Sequence, residues 1–325
     1  MNLSSLLRRR LLLGAAVLAA GTPLAALAQK DYPTRPVTIV VPFPAGGPTD
    51  ASARLYAKVM GEVLGQPIVI DNRAGAAGTV GSAAVARAAA DGYTLLWGGT
   101  STLAVAPGLY KNLKYDAQSF VPIGMALRGP MMIAAFPGAG LSTLQDLEKA
   151  AKTRNLTLGT AGTGSVGHLA TELLMETMDI KLTHVPYRGG GPAMTDVLGG
   201  QIQLILDNAS QLYPYVKSGK LKALAVTGAQ PYAPGPEVPV ARNVLGKDYE
   251  AYSWFGLVAP KGTPEPVVEK LRAAMTKAAN NPEVLRELQA QGLEPGVPAR
   301  EFGAVIAADY KKWSGIITRA NVQVE

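Results

Sequence analysis

The sequence predicts an α/β protein folded as two lobes around a central cleft, joined by hinge crossings. Three observations carry that expectation. β-Branched apolar runs alternate with helical repeats in two separate blocks, the pattern of parallel sheets covered on both faces. Extended segments near 125–132 and 245–256 divide the blocks, so the chain leaves the first lobe and later returns to it. The 325-residue chain, less a short leader, is also longer than one core commonly needs.

The elements follow in order. "PVTIVVP" (36–42) is a strand ending in a Pro/Gly turn. "TDASARLYAKVMGEVLG" is a helix with Leu55, Val59 and Val63 on one face. "PIVIDN", "GTVGSAAVARAAA" and "YTLLWGG" continue as strand, helix, strand. "FVPIGMALRGPMMIAAFP" (120–137) reads as two extended segments joined at Arg128-Gly129. The alternation then restarts with the helix "STLQDLEKAAK", the strand "LTLGT", the helix "SVGHLATELLMETM" and the strand "LTHVPY". It goes on through "GPAMTDVLGG", "IQLILD", "ASQLYPYVKSG" and "LKALAVTG". "YAPGPEVPVARN" (232–243) is a Pro-rich return loop, and "YSWFGLVAP" (252–260) a further strand. Thr263 is an expected N-cap with Pro264 at the first helical position, ahead of the stripe Val267, Val268, Leu271, Met275 and Ala278. A last helix carries Phe302, Val305, Ile306, Tyr310, Trp313, Ile316 and Ile317 on one face. With no further sheet of their own, these helices are expected to pack back on the first lobe. The expected division is 1–28 leader, 29–127 plus 253–325 lobe 1, and 128–252 lobe 2.

The leader reads as a secretory signal peptide: Arg8, Arg9 and Arg10, then "LLLGAAVLAAG", then the small-x-small site Ala26-Leu27-Ala28 before Gln29. The apolar run is short for a membrane span. Twin-arginine and Sec export both fit "RRRLLL", and either leads to a periplasmic destination. The chain carries a net charge of +7; removing the leader's three arginines leaves +4, spread without a basic block or interleaved aromatics. That pattern argues against nucleic-acid binding. There are no cysteines, which excludes disulfides, a lipidated N-terminal cysteine, a thiol nucleophile and zinc–thiolate sites. With only two histidines, His168 and His184, little material remains for metal or acid–base chemistry. No metal, cofactor or catalytic residue is expected.

"GTAGTGSVGH" (159–168) contains Gly162-x-Gly164-x-x-Gly167 between a strand and a helix. A dinucleotide site would add an acid at the end of the next strand. Here "LTHVPY" is followed instead by Arg188-Gly-Gly-Gly, and Asp179 precedes that strand. A nucleophile elbow would need G-x-S-x-G, and "GTGSVG" is one residue out of register. What survives is a glycine-rich helix start with free backbone N–H groups, a positive dipole end and the Ser165 hydroxyl, which together suit an anion. "VPFPAGGPTDASAR" (41–54) has the same construction: Ala45-Gly46-Gly47 bares the backbone and Thr49 is placed to cap. Asp50 fits either a complement to the helix dipole or a ligand contact. "GGTSTLAVAP" (98–107) adds hydroxyls at the carboxyl end of a strand, where such folds bind ligands. "VPYRGGGPAMTD" ends a strand at Tyr187 and Arg188 before another glycine-rich helix start. No Lys or Arg lies between Phe43 and Ser52 or between Thr157 and Ala170. The charge of an anionic ligand would be met mainly by main-chain donors, and a side chain at Gly46 or Gly164 is expected to obstruct it. Two such loops facing one another suit a small ligand with acidic ends.

These segments, with "IDNRAGAAGTVGSAAVARAAADGYTLLWG", "THVPYRGGGPAMTDVLGGQIQL", "GKLKALAVTG" and "WFGLVAPKGTPEPVVEKL", resemble the Bug-type periplasmic receptors, the solute-binding components of tripartite tricarboxylate transporters. The resemblance covers nearly the whole mature chain in order. It implies a type II periplasmic-binding-protein fold, a small carboxylate ligand held by main-chain and hydroxyl donors with bridging water, and integral-membrane transporter subunits as partners. Carried across by position, it implies ligand contacts from Phe43, Ala45, Gly46, Gly47, Thr49 and Asp50 in the first loop. In the second they are Gly162, Gly164, Ser165, Val166, Gly167 and His168, with Ser101 and Asp207 beside them. Arg188 is given a solvated or structural role, and His184 that of a satisfied core histidine. A monomer is expected. The alternative reading is an exported enzyme acting on a small carboxylate, against which stands the lack of an acid–base constellation.

Overall fold

The structure is a computed structural model that describes residues 31–324; the leader and its cleavage site lie outside the described residues. Among the described residues ten strands form one continuous sheet system with two halves. In the first half, β1 (Val37–Val41) lies between β2 (Ile68–Asn72) and β3 (Thr94–Gly99), all parallel. Its first crossover is α1 (Pro48–Leu64), which has Pro48 in the first turn and is stopped by the left-handed Gly65. The second crossover is α2 (Thr79–Ala86). Tyr56, Val59 and Met60 make the buried face of α1, and the Tyr56 hydroxyl donates to Ala126 O at 2.5 Å.

β3 runs into a wide helical turn, Thr100–Val105, and then α3 (Ala106–Leu109). Next comes β4, a single strand of 16 residues from Phe120 to Ala135 rather than two extended pieces joined at Arg128-Gly129. Register shifts at Pro122/Gly124 and Met125/Leu127 let it bend without breaking, because an extra residue absorbs the turn of the sheet. Its first part pairs antiparallel with β9 (Tyr252–Pro260), and its last five residues lie between β7 (Leu204–Asn208) and β8 (Lys222–Val226). β4 therefore belongs to both halves. The second half adds β5 (Thr157–Thr160), parallel to β6 (Thr183–Pro186) and to β7. Its helices are α4 (Leu144–Ala151), α5 (Val166–Met178), α6 (Gly190–Leu198) and α7 (Ala209–Lys217). The Pro-rich return segment ends in a short helix, α8 (Ala241–Leu245), which was expected as loop.

The tail comprises α9 (Glu265–Ala279), α10 (Pro282–Ala290), the two-residue β10 (Glu294–Pro295) and α11 (Ala299–Arg319). Thr263 does not cap α9; its hydroxyl donates to Pro260 O at 2.8 Å, closing the turn before the helix. Phe302, Ile306, Trp313, Ile316 and Ile317 of α11 are buried as the stripe predicts, while Tyr310 is 41% exposed. Phe302 packs edge-on against Trp254, and Arg319 pairs with Glu176 of α5 at 2.8 Å. One apolar cluster runs from Leu96 and Leu103 through Leu109 and Trp254 to Val166, Leu169 and Leu204, so the two halves share a core on the α5–α11 side. Among the described residues no helix is long and apolar enough to cross a membrane.

Candidate ligand cleft

Four strand ends meet on one side of the sheet system, each continued by a glycine-rich turn. The first follows β1. Asn72, at the end of β2, donates to Phe43 O at 3.1 Å and to Asp50 Oδ1 at 3.0 Å. Asp50 Oδ2 accepts from Gly46 N and from Arg54 Nε, both at 3.0 Å. Burial works against the ionised Asp50, but hydrogen bonds from Arg54, Gly46 and Asn72 outweigh it and hold its carboxyl below the ordinary value. Asp50 is thus the brace that shapes the loop, and it takes the Gly46 N–H for itself. The first helical bond of α1 is Ala51 N to Gly47 O. The Thr49 N–H therefore precedes the ladder, as the first amides of any helix do.

In the second turn, after β5, Ser165 Oγ accepts from His168 N at 3.2 Å and caps α5. The ladder begins with Leu169 N to Ser165 O, leaving the Gly167 N–H unused and the Ser165 hydroxyl hydrogen free to donate. Gly162 and Gly164 have φ of +133° and +78°, a region that favours glycine. Their faces are already covered, since a Cβ on Gly162 would collide with Tyr187 O and one on Gly164 with Leu109 and Tyr110. Gly164 N donates to His168 Nδ1 at 3.2 Å, and His168 Nε2 lies 3.4 Å from Glu172 Oε1. The His168 ring stacks on His184 with centroids 4.0 Å apart, and His184 Nε2 bonds Thr160 Oγ1 at 2.7 Å. Burial, helped by the His168 ring, pushes the His184 pKa down to about 3. The two stacked histidines form a buttress behind the loop.

The third turn, after β3, crosses to the second: Val166 N donates to Ser101 Oγ at 3.0 Å. The Thr100 hydroxyl accepts from Trp254 N at 3.0 Å and so ties the turn to β9. The fourth turn is Arg188–Gly191. Arg188 is exposed and has no ion pair among the described residues. Asp207, at the end of β7, is 8% exposed; its Oδ1 accepts from Asn208 N at 2.7 Å and Nδ2 at 3.0 Å. Burial raises its pKa to about 6 against those bonds. Its Oδ2 lies so near the start of α6 that any Cβ on Gly190 would strike it.

These turns enclose a cavity of about 320 Å³. Of the residues that the sequence proposes as ligand contacts, Phe43, Ala45, Gly46, Gly47, Thr49, Ser101, Ser165, Val166, Gly167 and Asp207 line it. Asp50, Gly162, Gly164 and His168 do not line it; they hold the loops from behind. Arg188 does line it, and is the one Lys or Arg among its lining residues. Met131, Asn208, Gln211, Ser253 and Phe255 also contribute and went unnoticed in the sequence. The missing signal is strand pairing. Phe255 sits opposite Gly99, so β9 enters at the carboxyl end of β3, a neighbour no local pattern reveals. Among the described residues no group of three or more His, Asp or Glu could hold a metal.

A cleft closed by helix starts from two α/β halves, which share a pair of crossing strands, defines the class of type II periplasmic-type binding proteins. The tripartite tricarboxylate transporter family receptor model matches residues 52–322, and the chain belongs to that family. It is similar to a solved structure of the periplasmic binding protein BugD, at 35% identity and a TM-score of 0.85, covering 90% of this chain and 100% of that one. Rpa4515 of R. palustris with adipate is 33% identical with a TM-score of 0.85, over 90% and 99% of the two chains. MatC of Rhodopseudomonas palustris with bound malate is 33% identical with a TM-score of 0.82, over 88% and 100%. The chain is a Bug-type solute receptor, a binding component rather than a catalyst.

Proposed function

We propose that this receptor captures a small carboxylate in the periplasm, between lobe 1 (29–127 plus 253–325) and lobe 2 (128–252), and delivers it to integral-membrane transporter subunits. Residues 1–28 direct export, by the twin-arginine or the Sec route, and the mature protein works as a monomer. The observation that carries the ligand class is the convergence of uncommitted donors on one cavity. These are the Thr49 and Gly167 amides at two helix starts and the Ser165 hydroxyl, with the Arg188 guanidinium at the rim. An anion satisfies all of them at once, which neither a cation nor an apolar molecule does. Adipate and malate, held by two relatives, are both small dicarboxylates. In this reading the site residues are Phe43, Ala45, Gly47, Thr49, Ser101, Ser165, Val166 and Gly167, with Arg188 and Asp207 selecting among carboxylates.

The test is a thermal-shift screen of the mature protein against mono-, di- and tricarboxylates, followed by calorimetric titration. A ligand that binds only the folded state raises the melting temperature by mass action. Saturable binding of a carboxylate, with no turnover of it, supports the reading. Saturable binding of amines or neutral sugars alone, with no carboxylate effect, overturns it.

A further inference from the structure

We infer that the ligand is a carboxylate with an uncharged apolar body, and that this body occupies a second chamber opening from the cleft. The inference rests on the carboxylate reading above and narrows it. The chamber has a volume of about 240 Å³. Pro48, Asn208, Gln211, Ser253 and Phe255 line both it and the cleft, so the two are continuous across a shared rim. Beyond the rim, Leu55 of α1, Leu127 of β4, Leu288 of α10 and Leu293 form an apolar strip of wall, with Ser210 and Gln291 as polar neighbours. Leu127 and Leu288 belong to the buried core of the first half, and Leu55 and Leu293 pack against it, so this surface is preformed.

No Lys or Arg lines the chamber, and its one charge is the carboxylate of Glu287 on its wall. Ser52, buried in its wall, is already engaged, donating to Thr49 O at 3.0 Å and accepting from Trp97 Nε1 at 3.1 Å. A second carboxylate reaching this far would meet leucines and a like charge. An alkyl chain or an aromatic ring would meet apolar walls, while the Ser253, Asn208 and Gln211 groups at the rim could serve a hydroxyl or carbonyl midway. The glycine turns then hold the anionic end, and the chamber reads the length and polarity of the rest. Each methylene buried there strengthens binding about fourfold.

The experiment is calorimetric titration of the mature protein with straight-chain monocarboxylates from acetate to decanoate, the matching dicarboxylates, and phenylalkanoates. Affinity for the monocarboxylates is expected to rise about fourfold per methylene over several members and then level off. Long dicarboxylates should bind more weakly than monocarboxylates of equal length. Ala51, on the chamber wall but not the cleft, is exposed on α1 and tolerates a larger side chain. Ala51→Trp should abolish the gain with length and leave the shortest ligands unchanged. Glu287→Lys should invert the preference at long chain length toward dicarboxylates. Binding of short carboxylates with no length dependence, or a length profile that neither variant alters, overturns the chamber and leaves the carboxylate reading standing. Failure of every member to bind sinks both.

Discussion

Ser165 performs two tasks with one oxygen. It caps α5 by accepting from His168 N, and it keeps a hydrogen to offer into the cleft. Ser165→Ala should therefore cost about 1 kcal/mol of stability and weaken carboxylate binding about tenfold, read by chemical denaturation and by calorimetry; intact affinity would remove the hydroxyl from the ligand shell. Arg188 differs, because its exposed guanidinium interacts through screened solvent. Arg188→Gln should lower affinity only severalfold and reduce its salt dependence. A loss of a hundredfold or more would replace the main-chain model with an arginine clamp. Asp207 and His184 make an opposed pair. Relative to an ordinary carboxyl at 3.8, Asp207 at about 6 keeps its proton longer in the folded state, so its contribution to stability falls as pH rises from 4 to 6. His184 at about 3, against an ordinary 6.5, refuses a proton that the unfolded chain takes, so its contribution falls as pH drops through the same window. Between pH 4 and 6 one proton is gained and one is lost, and the slopes cancel. Asp207→Asn removes one side. The stability of that variant relative to wild type should fall by about 1.4 kcal/mol per pH unit from pH 6 to 4, and near pH 7 the variant should be the more stable protein. An unchanged difference across that window would mean that Asp207 is not the group titrating.

The glycine turns act as elements through two distinct constraints. At Gly46 a Cβ would have no atom within 4 Å, so only its φ of +82° resists substitution. Gly46→Ala should cost about 1–2 kcal/mol, the strain of a left-handed residue. Gly164 has both the positive φ and a neighbour, because its face is filled by Leu109 of α3 and by Tyr110. Gly164→Val should destabilise more than Gly46→Ala by thermal melting, and should push α3 away from the second turn rather than fill the cleft. This corrects the expectation that a side chain there meets the ligand. The sequence reading treated both turns as ligand loops because a glycine needed for the ligand's approach and one needed for the chain's own packing look alike in one dimension. His168 was misplaced for a similar reason. Its position in the first turn of a helix was legible, but its partners, Gly164 N–H and the His184 ring, come from the loop and from a different strand.

At the scale of the molecule, β4 and β9 run together from one half into the other, and Val166 N to Ser101 Oγ bridges the turns over the cleft. The shared apolar core, which reaches Val166 beside the cleft, and the Arg319–Glu176 pair also join the two halves. Motion between lobes should then be a hinge about the paired strands, opening at the glycine turns. Small-angle scattering should show a smaller radius of gyration with saturating carboxylate than without. Ser101→Ala, which removes the bridging acceptor, should enlarge the ligand-free radius further. A radius unaffected by ligand would argue for a rigid cleft.

Local pattern alone determined the two blocks of alternating strands and helices, the tail helices, the glycine-rich helix starts and the anion-friendly character of the site. Each of these depends on interactions within a few residues: side-chain period, capping, and the backbone freedom of glycine. Family resemblance in the quoted motifs extended that reading to the receptor class. Tertiary structure decided which donors remain uncommitted. Asp50 claims the Gly46 amide, His168 claims that of Gly164, and Ser101 claims that of Val166. Pairing between distant strands brought Ser253 and Phe255 to the rim, and the packing of α1 against β4 and the tail left the leucine-walled chamber behind it. Hydrogen bonds are exclusive and cavities are what packing leaves over, so both depend on residues far apart in the chain.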